Sequence, residues 1–245
     1  MGITQGMGNR YPQPKSVRLV NTTYSTDHIN NKRILLNLGC GPDAFPGRWT
    51  DIDGSWNLKV QTAWWGRPFA DMAARRSGFR WPAHIQWLDI TKGIPYADGS
   101  VDAVYASHVL EHLYRQDALL LLTEIHRILR PGGVVRMVLP DLRSMARAYL
   151  ADDGPDAAIR FNADLLMRDA KPPSGWLGRL KKCRADHHSH KFMYDEALLV
   201  RDLQAAAFAE ATEKSFLDSR IPEIGDVERA GRILNGAGFV VEAIR

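Results

Sequence analysis

Apolar residues along this chain follow two different spacings, and the change from one to the other predicts its elements. Short apolar runs bounded by a glycine or an acid read as buried strands. They occur at 33–38 before Gly39, 49–53 ending at Asp53, 85–88 before Asp89, 101–106 and 134–139. From Val109 the spacing becomes helical. Leu110, Leu113, Leu120, Leu121, Ile125, Ile128 and Leu129 continue it, and Arg130-Pro131-Gly132-Gly133 stops it, which predicts one long helix. Further helices are expected after Pro140-Asp141 through Leu150 and over Tyr194–Phe208, the latter capped by Asp195. Last strands are expected at 212–217 and Phe239–Ile244.

Three segments stand apart from this alternation. Residues 1–30 are polar and aperiodic and read as an N-terminal arm. Residues 56–80 scatter Trp56, Trp64, Trp65, Phe69 and Phe79 among polar and basic positions, predicting one or two helices; Trp56, Trp64, Trp65, Phe69 and Trp81 read as core rather than as a sugar platform. Residues 151–192 are polar and carry Pro172-Pro173 and Gly175. The expected organisation is a single domain over 31–245, with insertions at 54–82 and 151–192.

Strands alternating with helices imply an α/β fold: a Rossmann-like, doubly wound, mostly parallel seven-stranded sheet with helices on both faces. In such sheets ligands bind beyond the carboxyl ends of the strands. Gly39–Gly41, Asp53, Asp89, Ser107–His108 and Pro140–Asp141 all fall at those ends, so one crevice is expected to gather them.

Composition narrows the setting without identifying the chemistry. The chain has 245 residues, 45% apolar and 24% charged, which fits a soluble globular domain. No apolar run approaches the ~20 residues of a membrane span, and the first residues lack the apolar core of a secretory leader. Two cysteines, Cys40 and Cys183, suit a reducing compartment, so a cytoplasmic protein is expected. The net charge of +4 is scattered, densest over Arg179–Arg184, and no nucleic-acid partner is expected.

Gly39-Cys40-Gly41 permits a tight turn and close approach of backbone to a ligand. With Ala44 it also fits a dinucleotide fingerprint, but that motif needs a helix directly after the turn. Here Pro42 and Pro46 bracket only a few residues before the next strand, which disfavours a dinucleotide. Asp53 is placed to accept hydrogen bonds from two ribose hydroxyls, with Asp51 as the alternative, and Asp89 to accept one from an adenine amino group. No phosphate-binding element is required. A nucleoside with a cationic tail, S-adenosyl-L-methionine, fits these positions.

The segments LLNLGCG (35–41), DID (51–53), WLDI (87–90), GSVDAVYASHVLEHL (99–113), EIHRILRPGG (124–133) and VLPDL (138–142) together resemble a class I S-adenosylmethionine-dependent methyltransferase of the type 11 kind. The resemblance implies that Gly39, Cys40 and Gly41 pass under the methionine portion of the cofactor. It gives Asp53 to the ribose, Asp89 and Ile90 to the adenine, and Ser107 and His108 to the region of the sulfonium. HHSHKFMYDEALL (187–199), SRIPEI (219–224) and LNGAGFVVE (234–242) are similar to a bacterial subgroup associated with cell-surface sugar and polysaccharide assembly. That similarity implies a small-molecule acceptor such as a sugar or nucleotide-sugar. One departure is that only Pro42–Arg48 separates the first two strands, where most of the family has a helix.

A hydroxyl acceptor benefits from a base, and histidine suits that role near neutral pH. The candidates are His108 and, folded over the crevice, His187, His188 and His190. A solvated loop, or three imidazoles on a divalent metal near Asp141, are the other readings of that second cluster. His108-Val-Leu-Glu111-His112 fits an H-x-x-E-H zinc motif. Its position at a strand–helix junction is already explained, however, so no metal is assigned. Glu111 and His112 read as helix-start contacts, with Glu111 four residues before Arg115 as a helix ion pair. The leading expectation is methylation of a sugar hydroxyl. N- or C-methylation of another metabolite and a non-catalytic cofactor-binding scaffold are the alternatives.

Overall fold

The computed structural model describes residues 33–63, 66, 69–166 and 189–245. The expected arm at 1–30 lies outside them, as do Trp64, Trp65, Cys183, the Arg179–Arg184 cluster, His187 and His188. Seven strands form one sheet in the order β3-β2-β1-β4-β5-β7-β6. They are β1 (Leu35–Leu38), β2 (Thr50–Asp53), β3 (Gln86–Trp87), β4 (Val101–Ser107), β5 (Leu129–Pro140), β6 (Ala209–Lys214) and β7 (Gly238–Ile244). Strands β1 to β5 pair in parallel, and β7 runs antiparallel to both β5 and β6. The order reverses between β1 and β4, so a crevice opens there at the carboxyl edge.

Six α-helices accompany the sheet among the described residues: α1 (Trp56–Thr62), α2 (Ala70–Ser77), α3 (Arg115–Ile128), α4 (Leu142–Leu150), α5 (Ala157–Asp164) and α6 (Glu196–Ala205). None is long and apolar enough to cross a membrane. Alternate residues of the central strands point to opposite faces. Leu36, Leu38, Ile52, Val104 and Ala106 meet Leu121, Leu122 and Ile125 of α3 and Leu199 and Leu203 of α6. On the other face, Leu35, Ala103, Tyr105, Val134 and Val138 meet Ile221 and Ile224 from the β6–β7 connection.

That connection covers a face which no helix between β1 and β2 reaches. Residues 39–49 hold only turns and bends, as the two prolines predict. Arg136 of β5 anchors the connection from below. Its fully buried guanidinium donates to Glu228 Oε1 and Oε2 at 2.7 and 2.8 Å and to the carbonyls of Asp218 and Ser215 at 2.7 and 2.8 Å. A buried cation is tolerated because every guanidinium nitrogen finds an acceptor.

Several expected boundaries move. The long helix begins at Arg115 rather than Val109. Residues Leu110–His112 make a 3-10 turn, and Tyr114 is extended at φ −63°, ψ 147°. Strand β6 lies three residues earlier than expected. The helix expected over Tyr194–Phe208 shortens to α6, with Asp195 Oδ1 accepting from the Leu198 amide at 2.9 Å as the expected cap. Within the polar stretch after 150, α5 forms where no element was expected. The aromatics divide as well. Trp81 is buried, but Trp56 and Phe69 are exposed: α1 turns Leu58 inward and leaves Trp56 beside Lys59 on its outer side, and Phe69 stands at the start of α2.

Candidate active site

The turn after β1 places its glycines in the left-handed region, at φ +66° for Gly39 and +71° for Gly41. A Cβ at Gly39 would also overlap Val109 Cγ2. The Gly39 and Cys40 amides both donate to the Ile52 carbonyl, at 2.8 and 3.2 Å, which ties the turn to β2. Asp53, the last residue of β2, accepts from the Gly41 amide at 3.1 Å and the Ser55 amide at 2.8 Å. The glycine turn and the half-buried acid at the strand end are thus one hydrogen-bonded unit.

Asp51 is differently occupied. It is buried, accepts from Asn37 Nδ2 at 2.7 Å, and lies 3.3 Å from His84 Nε2. Burial raises its pKa above the ordinary carboxylate range, against the opposing pull of Asn37 and His84. Burial likewise raises the Cys40 thiol, and the Asp53 and Asp51 charges add to the shift, so Cys40 is a neutral packing group.

Asp89 caps the 3-10 turn Ile90–Lys92. It accepts from Thr91 N at 3.2 Å and Thr91 Oγ1 at 2.6 Å, and its other oxygen meets Lys92 Nζ at 2.8 Å. Burial would raise its pKa, but the Lys92 and Thr91 hydrogen bonds outweigh burial and hold it low. Ile90 packs against the main core cluster.

Ser107 ends β4, and with Asn37, Gly39, Asp51, Tyr105 and Arg232 it lines a cavity of about 100 Å³. Tyr105 Oη and Ser107 Oγ are buried there without a complete hydrogen bond among the described residues. Burial pushes the Tyr105 hydroxyl up to about 12, so it stays protonated. Sequence reasoning passed over Asn37, Tyr105 and Arg232. A signal existed for the first two: they are polar interruptions at matching phase in otherwise apolar strands.

His108 adopts φ +56°, an uncommon value for a residue with a Cβ. Its Nδ1 lies 3.0 Å from Glu111 Oε1 and its Nε2 lies 2.6 Å from the Arg232 carbonyl. Burial alone would lower its pKa, but the Glu111 hydrogen bond and charge, helped by that carbonyl, raise it. Both nitrogens therefore face acceptors, and the imidazolium is favoured.

Glu111 is fully buried, and its partner is His108 rather than the expected Arg115. The extended Tyr114 breaks the helix between positions 111 and 115, so the i,i+4 geometry does not exist, and Arg115 pairs with Asp202 at 2.5 Å instead. The Glu111 carbonyl accepts from Lys191 N at 2.7 Å and Phe192 N at 3.3 Å. These bonds bring in His190, whose ring meets His112 edge-on at 5.0 Å between centroids. Of the histidine cluster, His190 is therefore described and sits beside Glu111 and His112. Burial lowers its pKa. Further along, Tyr194 bridges to Asp141, whose carboxylate caps α4 through Arg143 N and Ser144 N.

Residues 36–137 match the family model for a methyltransferase domain. A probable methyltransferase, ltbC, of Aspergillus luteorubrus is 27% identical over 150 residues, which is 53% of this chain and 51% of that protein. An uncharacterized 37.1 kDa protein in transposon TN4556 of Streptomyces fradiae is 31% identical over 144 residues, 55% of this chain and 38% of that protein. The chain thus spans about half or less of the length of these relatives. A solved structure of an S-adenosylmethionine-dependent methyltransferase from Archaeoglobus fulgidus is similar with a TM-score of 0.42 at 14% identity, over 88% of this chain and 87% of that one. The corresponding values for the apo form of the methyltransferase SibL are 0.45 and 16%, over 90% and 52%.

Proposed function

We propose that this chain, whose residues 36–137 match a methyltransferase domain, transfers a methyl group from S-adenosylmethionine to a hydroxyl of a sugar or related small metabolite. The observation that carries the reading is the coincidence of that match with the glycine turn locked to Asp53 at the carboxyl edge. The donor set suits the cofactor. Asp53 offers a carboxylate to vicinal hydroxyls, Asp89 and Ile90 flank the place for a base, and Gly39, Cys40 and Gly41 present backbone free of side-chain bulk. Ser107 contributes a buried hydroxyl without a complete hydrogen bond. Bound there, S-adenosylmethionine supplies an electrophilic methyl on a sulfonium.

The protein's part is to hold the acceptor oxygen in line with the methyl and to manage its proton. His108 bridges Glu111 and the Arg232 carbonyl, so in this arrangement it positions the end of β4 and has no nitrogen lone pair to offer. Proton removal then falls to His187, His188 or His190. The buried Nδ1 of His190 has no hydrogen-bond partner among the described residues. The acceptor class rests on the similarity of 187–199, 219–224 and 234–242 to sugar-assembly methyltransferases. We assign the protein to the cytoplasm on its two-cysteine composition.

Calorimetric titration with S-adenosylmethionine and S-adenosylhomocysteine tests the cofactor. Asp53→Ala is expected to weaken binding by about 1–3 kcal/mol, and wild-type affinity in that variant would return the ribose to Asp51. Transfer of labelled methyl into extracted metabolites, with each of the four histidines changed to alanine, tests the acceptor and the base. Unaltered turnover in all four variants rejects the base assignment.

A further inference from the structure

Glu111, His112 and His190 each offer one ligand atom, and the three atoms lie within 4.8 Å of one another. A point then exists within about 2.8 Å of all three, against bonds of about 2.0–2.2 Å to zinc. Sub-ångström movements of side chains would therefore seat an ion. His112 and Glu111 are carried by one 3-10 turn, while His190 arrives from a segment nearly 80 residues later in the chain, held in place by the hydrogen bonds of Lys191 and Phe192 to the Glu111 carbonyl.

We propose that Glu111, His112 and His190 form a binding site for a divalent cation with the nitrogen and oxygen preference of zinc. The donor set, two imidazoles and one carboxylate, is one that zinc and its first-row neighbours accept. Two atoms in the cluster ask for such a partner. Glu111 Oε2 and His190 Nδ1 are both buried with no hydrogen bond among the described residues, and the Glu111 side chain has no exposed surface. A fully buried carboxylate oxygen is costly to leave unmatched, and a cation matches it together with the imidazole lone pair. Glu111 Oε1 is meanwhile engaged by His108 Nδ1 at 3.0 Å. That is the outer support which fixes a ligating carboxylate and leaves its second oxygen for the metal. The H-x-x-E-H spacing thus acquires a different use from the one it suggests. Its second histidine and its glutamate ligate, its first histidine supports the glutamate, and the third ligand comes from the distant cluster. Occupancy of this site does not depend on methyl transfer, and since a zinc-bound His190 has no free lone pair for a proton, it leaves the base of the proposed reaction to His187 or His188.

The test uses the full chain, stripped with a chelator, dialysed, and titrated with Zn²⁺ against a chromophoric competitor and with Co²⁺ by visible absorption. One equivalent of zinc is expected, together with the intense visible bands of four- or five-coordinate cobalt and a raised melting temperature. Glu111→Gln, which keeps the shape of the side chain, and His190→Ala are each expected to weaken zinc at least about tenfold. His126→Ala, on α3 against Phe208, is expected to bind as the wild type does. Circular dichroism of the metal-free variants separates lost ligation from lost folding. Zinc bound with unchanged affinity by both folded site variants would overturn the proposal, as would less than a tenth of an equivalent on the wild type or a cobalt spectrum no different from the aqueous ion.

Discussion

Arg136 and Glu228 meet through two parallel hydrogen bonds of 2.7 and 2.8 Å, and neither side chain has any exposed surface. The pair joins the middle of β5 to the β6–β7 connection, 92 residues away in sequence. Glu228 also accepts from the Leu217 amide at 2.7 Å. Removing Glu228 leaves the buried Arg136 guanidinium with only the longer 3.4 Å contact to Glu242 as its counter-charge. Glu228→Ala is expected to destabilise the protein by about 3–5 kcal/mol in urea unfolding. A loss below about 1 kcal/mol, the level of an exposed pair, would mean that the connection does not hold this face.

Gly39 joins a positive φ to a missing side-chain volume. Gly39→Ala must bear a left-handed backbone and displace Val109 at the start of the crossover after β4. Roughly 1–2 kcal/mol for the conformation and 1–3 for overpacking are expected to add. Val109→Ala in the same chain is expected to recover part of the overpacking share, measured as the midpoint of chemical unfolding. Equal midpoints for Gly39→Ala with and without Val109→Ala would refute the contact.

Asp51 gives the stability a pH dependence of known sign. Burial raises its folded pKa despite the Asn37 hydrogen bond and the nearby His84, so the folded chain holds this proton more tightly than the unfolded chain does. Stability from this group is present below the unfolded carboxyl value of about 3.9 and is lost as pH rises through the folded value. The wild type is therefore expected to lose stability relative to Asp51→Asn as pH climbs from about 4, with the difference levelling once the folded carboxyl has ionised. Paired urea titrations at stepped pH measure it, and a difference that grows in favour of the wild type contradicts the assignment.

Much of the frame was legible because its signals are local. The apolar runs before Gly39 and Asp89, the helical spacing from Leu120 to Ile128 and the Pro-Gly-Gly stop each act within a few residues. They located all seven strands, β5 beginning five residues before the expected Val134 and β6 with a three-residue error. That error arose because Ala209–Lys214 is a largely exposed strand with polar residues on both sides of its pleat, so no apolar alternation marks it. The helix start was misplaced for a related reason. Leu110 and Leu113 are apolar and suitably spaced, but a 3-10 turn and an extended Tyr114 bury them without a continuous helix.

The order of the strands and of the helices other than α5, the turn that needs glycine at 39 and 41, and the acids and histidines at strand ends can be read from the chain alone. These depend on backbone sterics and on the period of apolar residues, both short-range properties of a chain. Which of those groups are spent on each other depends on how the folded chain brings them together. Asp51 is taken by Asn37, Arg115 by Asp202, and both nitrogens of His108 by Glu111 and a carbonyl 124 residues away. The fold also sets His190 beside Glu111 and His112. Hydrogen bonds and ion pairs depend on distances of a few ångströms in space, and no spacing along the chain encodes a meeting of segments nearly 80 residues apart.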